Sequence, residues 1–492
     1  MSIKDEEQFE MKAKLKDGAE EVKNPYKDAA RKGFYSPVFG ENGTIKYMKP
    51  HYDKAGAYVR DFMHFVTDDG GTWELENNFY RPITRNRWKS ILSKLTKGFG
   101  QPMHYRYFQL EIEAQTYISN LDLKDSKDKV NMQNGVLDLK TRLIEPHDSK
   151  YFFKYVLPYH YDPNAECPMF MEILEERFDG DKTTIKALGE YLGYCLEGGR
   201  QWLQKALVFH GEGENGKSTI IDIMKAMVGE TACSNVPMKD IDKKFSVINM
   251  RGKLINHMEE ITDGRVPTDM FKKITSSGMI SGAFKGVDEV DFRADARQII
   301  AANQHIKAYE STHGFERRLY LVALTKPLLK RNDDIYNIII NNELPGILNW
   351  ALNRREALHA RGELPKLRKQ DDLMDNYRME NDVVFAFVHD YCDFDTNDGG
   401  VHKSEDIFQR FVLSCERMKR PYVSIHTFQK RFPRAVEIYF KAQKEDFKKH
   451  TENGTVYMNL RFRTESRPGV VRKDNVIWRP NDEPGVDPNA AR

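Results

Sequence analysis

The sequence predicts an α/β fold whose core is a P-loop, with a mixed α+β region before it and a winged-helix-like module after it. Three adjoining stretches carry the core prediction. Ala206-Leu207-Val208-Phe209-His210 is an apolar run with the length of a buried strand. Gly211-Glu212-Gly213-Glu214-Asn215-Gly216-Lys217-Ser218-Thr219 follows directly and fits G-x-x-x-x-G-K-[ST]. Ile220, Ile223, Met224 and Met227 then recur at helical spacing, and Gly229 stands where a helix would stop. A phosphate site needs this order. Glycines let backbone N–H groups close around phosphate oxygens, Lys217 neutralises them, the Ser218 hydroxyl can hold Mg²⁺, and the helix N-terminus adds its positive dipole end. The candidate nucleotide-binding residues are therefore Gly211, Gly213, Asn215, Gly216, Lys217, Ser218 and Thr219, with ATP and Mg²⁺ as the expected ligands.

Composition narrows the rest. With 492 residues and a net charge of +2, the chain has room for several domains, and nucleic-acid binding would need local basic faces rather than bulk charge. No apolar run reaches membrane-spanning length, and the start has neither a signal-peptide layout nor a lipidation motif. Five scattered cysteines without a C-x-x-C pair point to a reducing cytosol and away from a disulfide framework or a zinc site.

In chain order, residues 1–33 read as a charged, flexible arm and 34–165 as an N-terminal accessory domain. Within that domain, Phe62 to Val66 and Trp73 to Leu75 flank Asp69-Gly70-Gly71 and suggest a hairpin. Trp88, Ile91, Leu92 and Leu95 mark one helical face of a segment carrying Arg81, Arg85, Arg87, Lys89, Lys94 and Lys97, a solvated face or a DNA contact. Asn134-Gly135 turns into a strand, and 166–201 holds two short helices. The ATPase core with its trailing helices spans 202–365, with a polar linker near 366–375. Residues 376–465 form the winged-helix-like module and 466–492 a disordered tail.

Beyond the loop, Lys253 to Met258 reads as a strand ending in Glu259-Glu260. Paired acids there suit a nucleotide hydrolase, one helping to hold Mg²⁺ and the other activating water. Gln298 to Ala302 is a second strand ending in Asn303, whose amide could orient that water. Gly314 to Arg318 leads into a third strand, Leu319 to Leu324, and an arginine at such a place can reach a neighbouring subunit's γ-phosphate.

This succession resembles the superfamily 3 (AAA+) helicases, most nearly the phage, plasmid and poxvirus-type primase-helicases, over about residues 131–387. The resemblance implies that Lys217, Ser218 and Thr219 serve nucleotide and metal, Glu259 helps hold the metal, Glu260 is the base and Asn303 the sensor. Either Arg317 or Arg318 is then the trans-acting finger. It also implies a DNA-contacting hairpin carrying Lys285, after a lysine-rich helix at Lys272-Lys273. Met279 stands where the family usually has aspartate, and the N-terminal region shows no acidic cluster or zinc pattern of a primase.

In the C-terminal module, Val383, Val384, Phe387 and Val388, then Ile407, Phe408, Phe411 and Val412, then Phe428 and Phe432 after a Ser424 cap, suggest three helices. Asn453-Gly454 turns a closing hairpin. Lys430, Arg431 and Arg434 read as an exposed DNA-contacting row. The expectation is a ring-forming, hexameric replicative DNA helicase of a phage, plasmid or other mobile element in a bacterial cytoplasm, acting on single-stranded and forked DNA, with a separate primase or other replication proteins as partners. The rival is an origin-binding initiator or helicase-loader ATPase.

Overall fold

The computed structural model describes residues 33–41, 43–96, 102–119, 126–211, 213, 215–258, 266–285, 288–303, 306, 313–326, 333–397, 399–452 and 454–463. The expected arm, up to residue 32, and the tail lie outside them, as do Glu259 and Glu260.

The N-terminal region begins with an antiparallel pair, β1 (Tyr35–Phe39) and β2 (Ile45–Pro50), followed by helix α1 (Tyr52–Phe62). An antiparallel meander follows: β3 (Phe65–Asp68), β4 (Gly71–Glu76) and β5 (Phe79–Pro82). The first hairpin falls at Asp69-Gly70, but Phe62, read as its opening strand, instead ends α1. Helix α2 (Arg85–Thr96) buries Trp88, Ile91, Leu92 and Leu95 as their spacing predicts, and α3 (Pro102–Gln115) packs on α1. The basic face of α2 is partly committed, since Arg87 makes a bidentate pair with Glu74 at 2.8 Å. A second small sheet, β6 (Lys129–Met132), β7 (Gly135–Asp138) and β8 (Ile144–Glu145), turns at Gly135 with φ 147.

Helices α4 (Pro168–Arg177) and α5 (Lys182–Cys195) lead into the core. There the chain forms β9 (Ala206–His210), α6 (Lys217–Val228), β10 (Cys233–Ser234), α7 (Lys244–Val247), β11 (Ile255–Met258) and α8 (Thr268–Ile274). A two-stranded antiparallel hairpin follows, β12 (Met279–Gly282) with β13 (Val290–Arg293), then β14 (Arg297–Ala302), α9 (His313–Glu316) and β15 (Leu319–Ala323). The main sheet is wholly parallel, in the order β10-β11-β14-β9-β15. Strand alternation divides β9 between two cores. Leu207 and Phe209 join Leu188, Tyr191, Ile220 and Met224 on one face; Ala206 and Val208 join Phe271, Phe292 and Phe315 on the other. Burial on both faces is why β9 is an unbroken apolar run rather than an alternating one.

Helix α10 (Asp333–Ile338) passes through a π-helical turn, Ile339–Glu343, into α11 (Leu344–Arg361). α11 lies tightly on α5: a Cβ on Gly193 would stand 2.4 Å from the Ala351 carbonyl oxygen, so only glycine permits this approach. The stretch read as a linker is corrected here, because α12 (Gln370–Asn381) begins within it and buries Tyr377 in the core. The C-terminal module contains α13 (Val383–Tyr391), β16 (Cys392–Phe394), β17 (Gly400–Lys403), α14 (Ser404–Met418) and α15 (Ile425–Phe440). The short α16 (Lys444–Phe447) and the strands β18 (Lys448–Thr451) and β19 (Gly454–Phe462) complete it. Phe387, Phe411, Phe428, Phe432 and Tyr457 form its aromatic centre. The Ser424 hydroxyl accepts from Thr427 N at 3.3 Å, capping α15 as its residue type predicts.

One buried ion pair joins the N-terminal region to the core. Arg251, ahead of β11, donates to both carboxylate oxygens of Asp68 on β3 at 3.3 and 2.6 Å, with both side chains about 5% exposed or less. The Trp73 indole N–H donates to the same carboxylate at 3.2 Å.

Candidate functional site

The loop leaves the C-terminal end of β9, an interior strand next to the edge strand β15, at the base of α6. In a parallel sheet this edge gathers the helix N-termini and the free ends of the strands, so ligands bind there. Gly211 N donates to Ala302 O at 3.1 Å, pressing the loop against the neighbouring strands. A Cβ at Gly211 would meet Leu324 O at 2.0 Å and Asn215 Nδ2 at 2.3 Å. Asn215 is buried and donates to Leu324 O at 2.6 Å, pinning the loop to the end of β15. Gly216 has φ 84, a left-handed conformation that turns the chain into α6.

Lys217 is buried at the first position of α6, and its ammonium donates to Gly211 O at 2.7 Å and to Asn215 Oδ1 at 3.1 Å. Both bonds hold the ammonium inside the loop, between the start of the glycine run and the Asn215 amide. Ser218 is exposed on the first turn and Thr219 half-buried. Burial, and then the charge of Lys217, hold the His210 imidazole below its usual pKa. The loop thus gathers a buried cation, a glycine cradle, a helix N-terminus and a free hydroxyl, the donor set that suits a polyphosphate with its metal.

Asn303 follows β14, whose Ala302 is in register with His210, so the amide belongs to the same edge as the loop. β11 ends there too, at Met258, with Glu259-Glu260 next in sequence and outside the described residues.

The two arginines lie at the other end of the sheet. Ala206 N donates to Arg318 O at 2.7 Å where β9 and β15 begin, so Arg317 and Arg318 are one strand length from Lys217, roughly 16 Å for five residues. Arg318 is buried and donates to Gly314 O, and burial followed by the charge of Arg317 lowers its pKa. Arg317 is exposed, its Nη2 donating to Gln204 Oε1 at 3.1 Å. Lys205, whose ammonium donates to Arg317 O at 2.5 Å, is held below its usual pKa by burial and then by Arg317. Gln204 and Lys205 were missed in the sequence. They stand next to the strongest motif and match no pattern of their own.

Lys285 is exposed in the turn after β12. The hairpin beneath it is anchored by buried Ile280 and Phe292 and by Ala283 N donating to Lys244 O at 3.2 Å. In the C-terminal module Lys430 is exposed as expected. Arg431 and Arg434 are half-buried instead, and the Arg434 guanidinium lies 3.9 Å from Glu316 of the core. The helical face that looks outward from the module's own centre is here turned toward the core. Among the described residues no cluster of three His, Cys, Asp or Glu is arranged to hold a metal, and no helix is long and apolar enough to cross a membrane.

Comparison with known proteins matches the same regions. Residues 209–318, from the end of β9 to the paired arginines, match a family described as of unknown function (DUF5906). Residues 46–179 match the family described as D5 N terminal like, which reaches well before the start of the resemblance seen in the sequence. Among solved structures, an apo form of the NrS-1 C-terminal region (305–718) is similar at 15% identity and a TM-score of 0.48, over 78% of this chain and 88% of that one. The A form of the apo NrS-1 C-terminal region is similar at 16% identity and a TM-score of 0.46, over 65% and 73%. No curated protein matches the chain.

Proposed function

We propose that the chain is an ATP-hydrolysing DNA helicase that works as a ring, its active sites shared between neighbouring subunits. One observation carries this reading: the phosphate loop and the exposed Arg317 occupy opposite ends of one sheet. Arg317 cannot reach its own chain's loop, but a neighbour stacked head to tail would receive it at its open edge, as trans-acting arginines do. In this reading the finger is Arg317, whose exposure favours it over the buried Arg318, and Arg318 fixes the turn beneath it.

In this reading Lys217 and the α6 N-terminus neutralise the phosphates of bound ATP, and Thr219 supports the loop. Ser218 and Glu259 would hold Mg²⁺, which would add charge neutralisation at those phosphates. Glu260 takes the proton from the attacking water, Asn303 orients that water, and Arg317 of the adjoining subunit stabilises charge on the γ-phosphate. Lys285 at the hairpin turn grips one DNA phosphate per subunit, a sequence-independent contact. The D5-type match and the parallel sheet support the reading.

The C-terminal module supports a second role. Its helices and closing β18–β19 hairpin resemble a winged helix, and Lys430 is exposed on α15, which favours duplex binding by an origin-recognising initiator. ATP turnover with and without single-stranded DNA, measured beside particle mass, tests the main reading. A helicase gives a multimer whose turnover rises with the strand. Arg317→Ala and Lys217→Ala subunits, each inactive alone, should recover activity when mixed. A monomer indifferent to single-stranded DNA, with no recovery on mixing, would refute it.

A further inference from the structure

Two basic side chains from outside the core sheet converge on one buried core acid. Glu316 closes α9 and directly precedes Arg317. Arg378 of α12 donates from Nε to Glu316 Oε2 at 3.1 Å, and Arg434 Nη2 of α15 stands 3.9 Å from the same oxygen. Arg378 is itself fixed: its Nη1 donates to Asp375 at 2.9 Å, and it lies over the Phe385 ring of α13 at 5.7 Å. Phe315 is fully buried against Phe271 of α8 and Tyr377 of α12, with ring centroids 4.9 and 6.3 Å away. Asn381, at the end of α12, donates to Ile306 O at 3.1 Å, in the segment that follows Asn303.

α9 spans four residues, too short to hold its shape through its own hydrogen bonds. Its orientation is set by what grips it: Phe315 on one side and the Glu316 carboxylate on the other. The charge-assisted bond from Arg378 is directional, and the Arg434 guanidinium at 3.9 Å adds charge attraction to the same carboxylate, so together they bias where the next residue points.

We infer that Glu316 is a positioning residue for Arg317, clamped by Arg378 and Arg434, through which the C-terminal module sets hydrolysis in the adjoining subunit. The inference rests on Arg317 being the finger. A DNA or protein partner that shifts α15 moves Arg434, loosens the clamp and withdraws the finger. The module is then a regulator of turnover as well as a binding surface.

Steady-state ATP hydrolysis with single-stranded DNA tests it in Glu316→Gln, Arg434→Glu and Arg434→Lys, with Arg317→Ala beside them. Displacing a catalytic group by about an ångström costs roughly a hundredfold in rate, so Glu316→Gln and Arg434→Glu should lower kcat by about 10- to 100-fold. KM for ATP should stay within about twofold, because the loop is untouched. Arg434→Lys should retain most of the rate. Glu316→Gln subunits, which keep an intact loop, should regain activity when mixed with Lys217→Ala subunits, which keep an intact finger. Wild-type kcat in Glu316→Gln and Arg434→Glu, with Arg317→Ala inactive, overturns the positioning role and leaves the finger standing. A rate loss accompanied by a lowered melting temperature, a raised KM and no recovery on mixing makes Glu316 a folding residue and also overturns it. A fully active Arg317→Ala removes the reading on which the inference rests.

Discussion

Gly211→Ala is the sharpest test of the loop. The added Cβ would stand 2.0 Å from Leu324 O and 2.3 Å from Asn215 Nδ2, whereas carbon and oxygen in ordinary contact are more than 3 Å apart. Neither neighbour can yield easily. Leu324 O accepts the 2.6 Å bond that pins Asn215, and Leu324 N is itself bonded to His210 O at 2.8 Å. The loop must therefore move by about an ångström, carrying the acceptors that hold the Lys217 ammonium. Overpacking of this kind costs about 1–3 kcal/mol in stability, and misplacing a catalytic group by that distance costs roughly a hundredfold in turnover. Gly213→Ala is the control, since nothing lies within 4 Å of a Cβ there. Thermal unfolding of the two variants should separate clearly, with Gly213→Ala close to wild type in stability, and turnover should fall further in Gly211→Ala. Equal turnover in both would refute the claim that the Gly211 contact sets the shape of the loop.

Lys285→Ala should keep basal ATP turnover and lose both its stimulation by single-stranded DNA and strand separation; unwinding of a forked duplex at the wild-type rate would remove the hairpin from translocation. Asp68→Ala leaves Arg251 buried without its carboxylate, a loss of about 3–5 kcal/mol. The urea midpoint of the transition that unfolds the N-terminal region should fall, and the double variant Asp68→Leu with Arg251→Met should recover most of the loss. The lowered pKa of His210 predicts a pH effect with a definite sign: its contribution to stability is full above the ordinary histidine value near 6.5 and is lost as pH falls through the lower folded value. His210→Asn should therefore flatten the decline in melting temperature between about pH 7.5 and 5.5, and an unchanged slope would show that His210 does not contribute to it.

What could be read in the sequence was local. β9, the loop and α6 are contiguous, so strand length, glycine spacing and helical period pointed to the same place. Three things needed the third dimension. Arg317 and Arg318 are adjacent in sequence, and only their opposite burial separates a reaching side chain from an anchored one. Gln204 and Lys205 join them only because β9 and β15 start side by side. Arg431 and Arg434 lie on a face that helical period alone would call solvent, since a periodic pattern cannot show that a second body covers it. The misread linker has a similar cause. α12 is so rich in charge that its buried Tyr377 does not stand out among polar neighbours.

The strand order carries a consequence for synthesis. β9 is made first, yet it lies between β14 and β15, which are made last. At roughly 5–20 residues per second, the ribosome needs on the order of ten seconds after His210 to deliver Arg297. Until then Leu207, Val208 and Phe209 have open backbone on both sides, the state most prone to pair with another chain. The strand that presents the glycine loop is thus the last to be enclosed, and chaperone dependence should concentrate in nascent chains that end between His210 and Arg297.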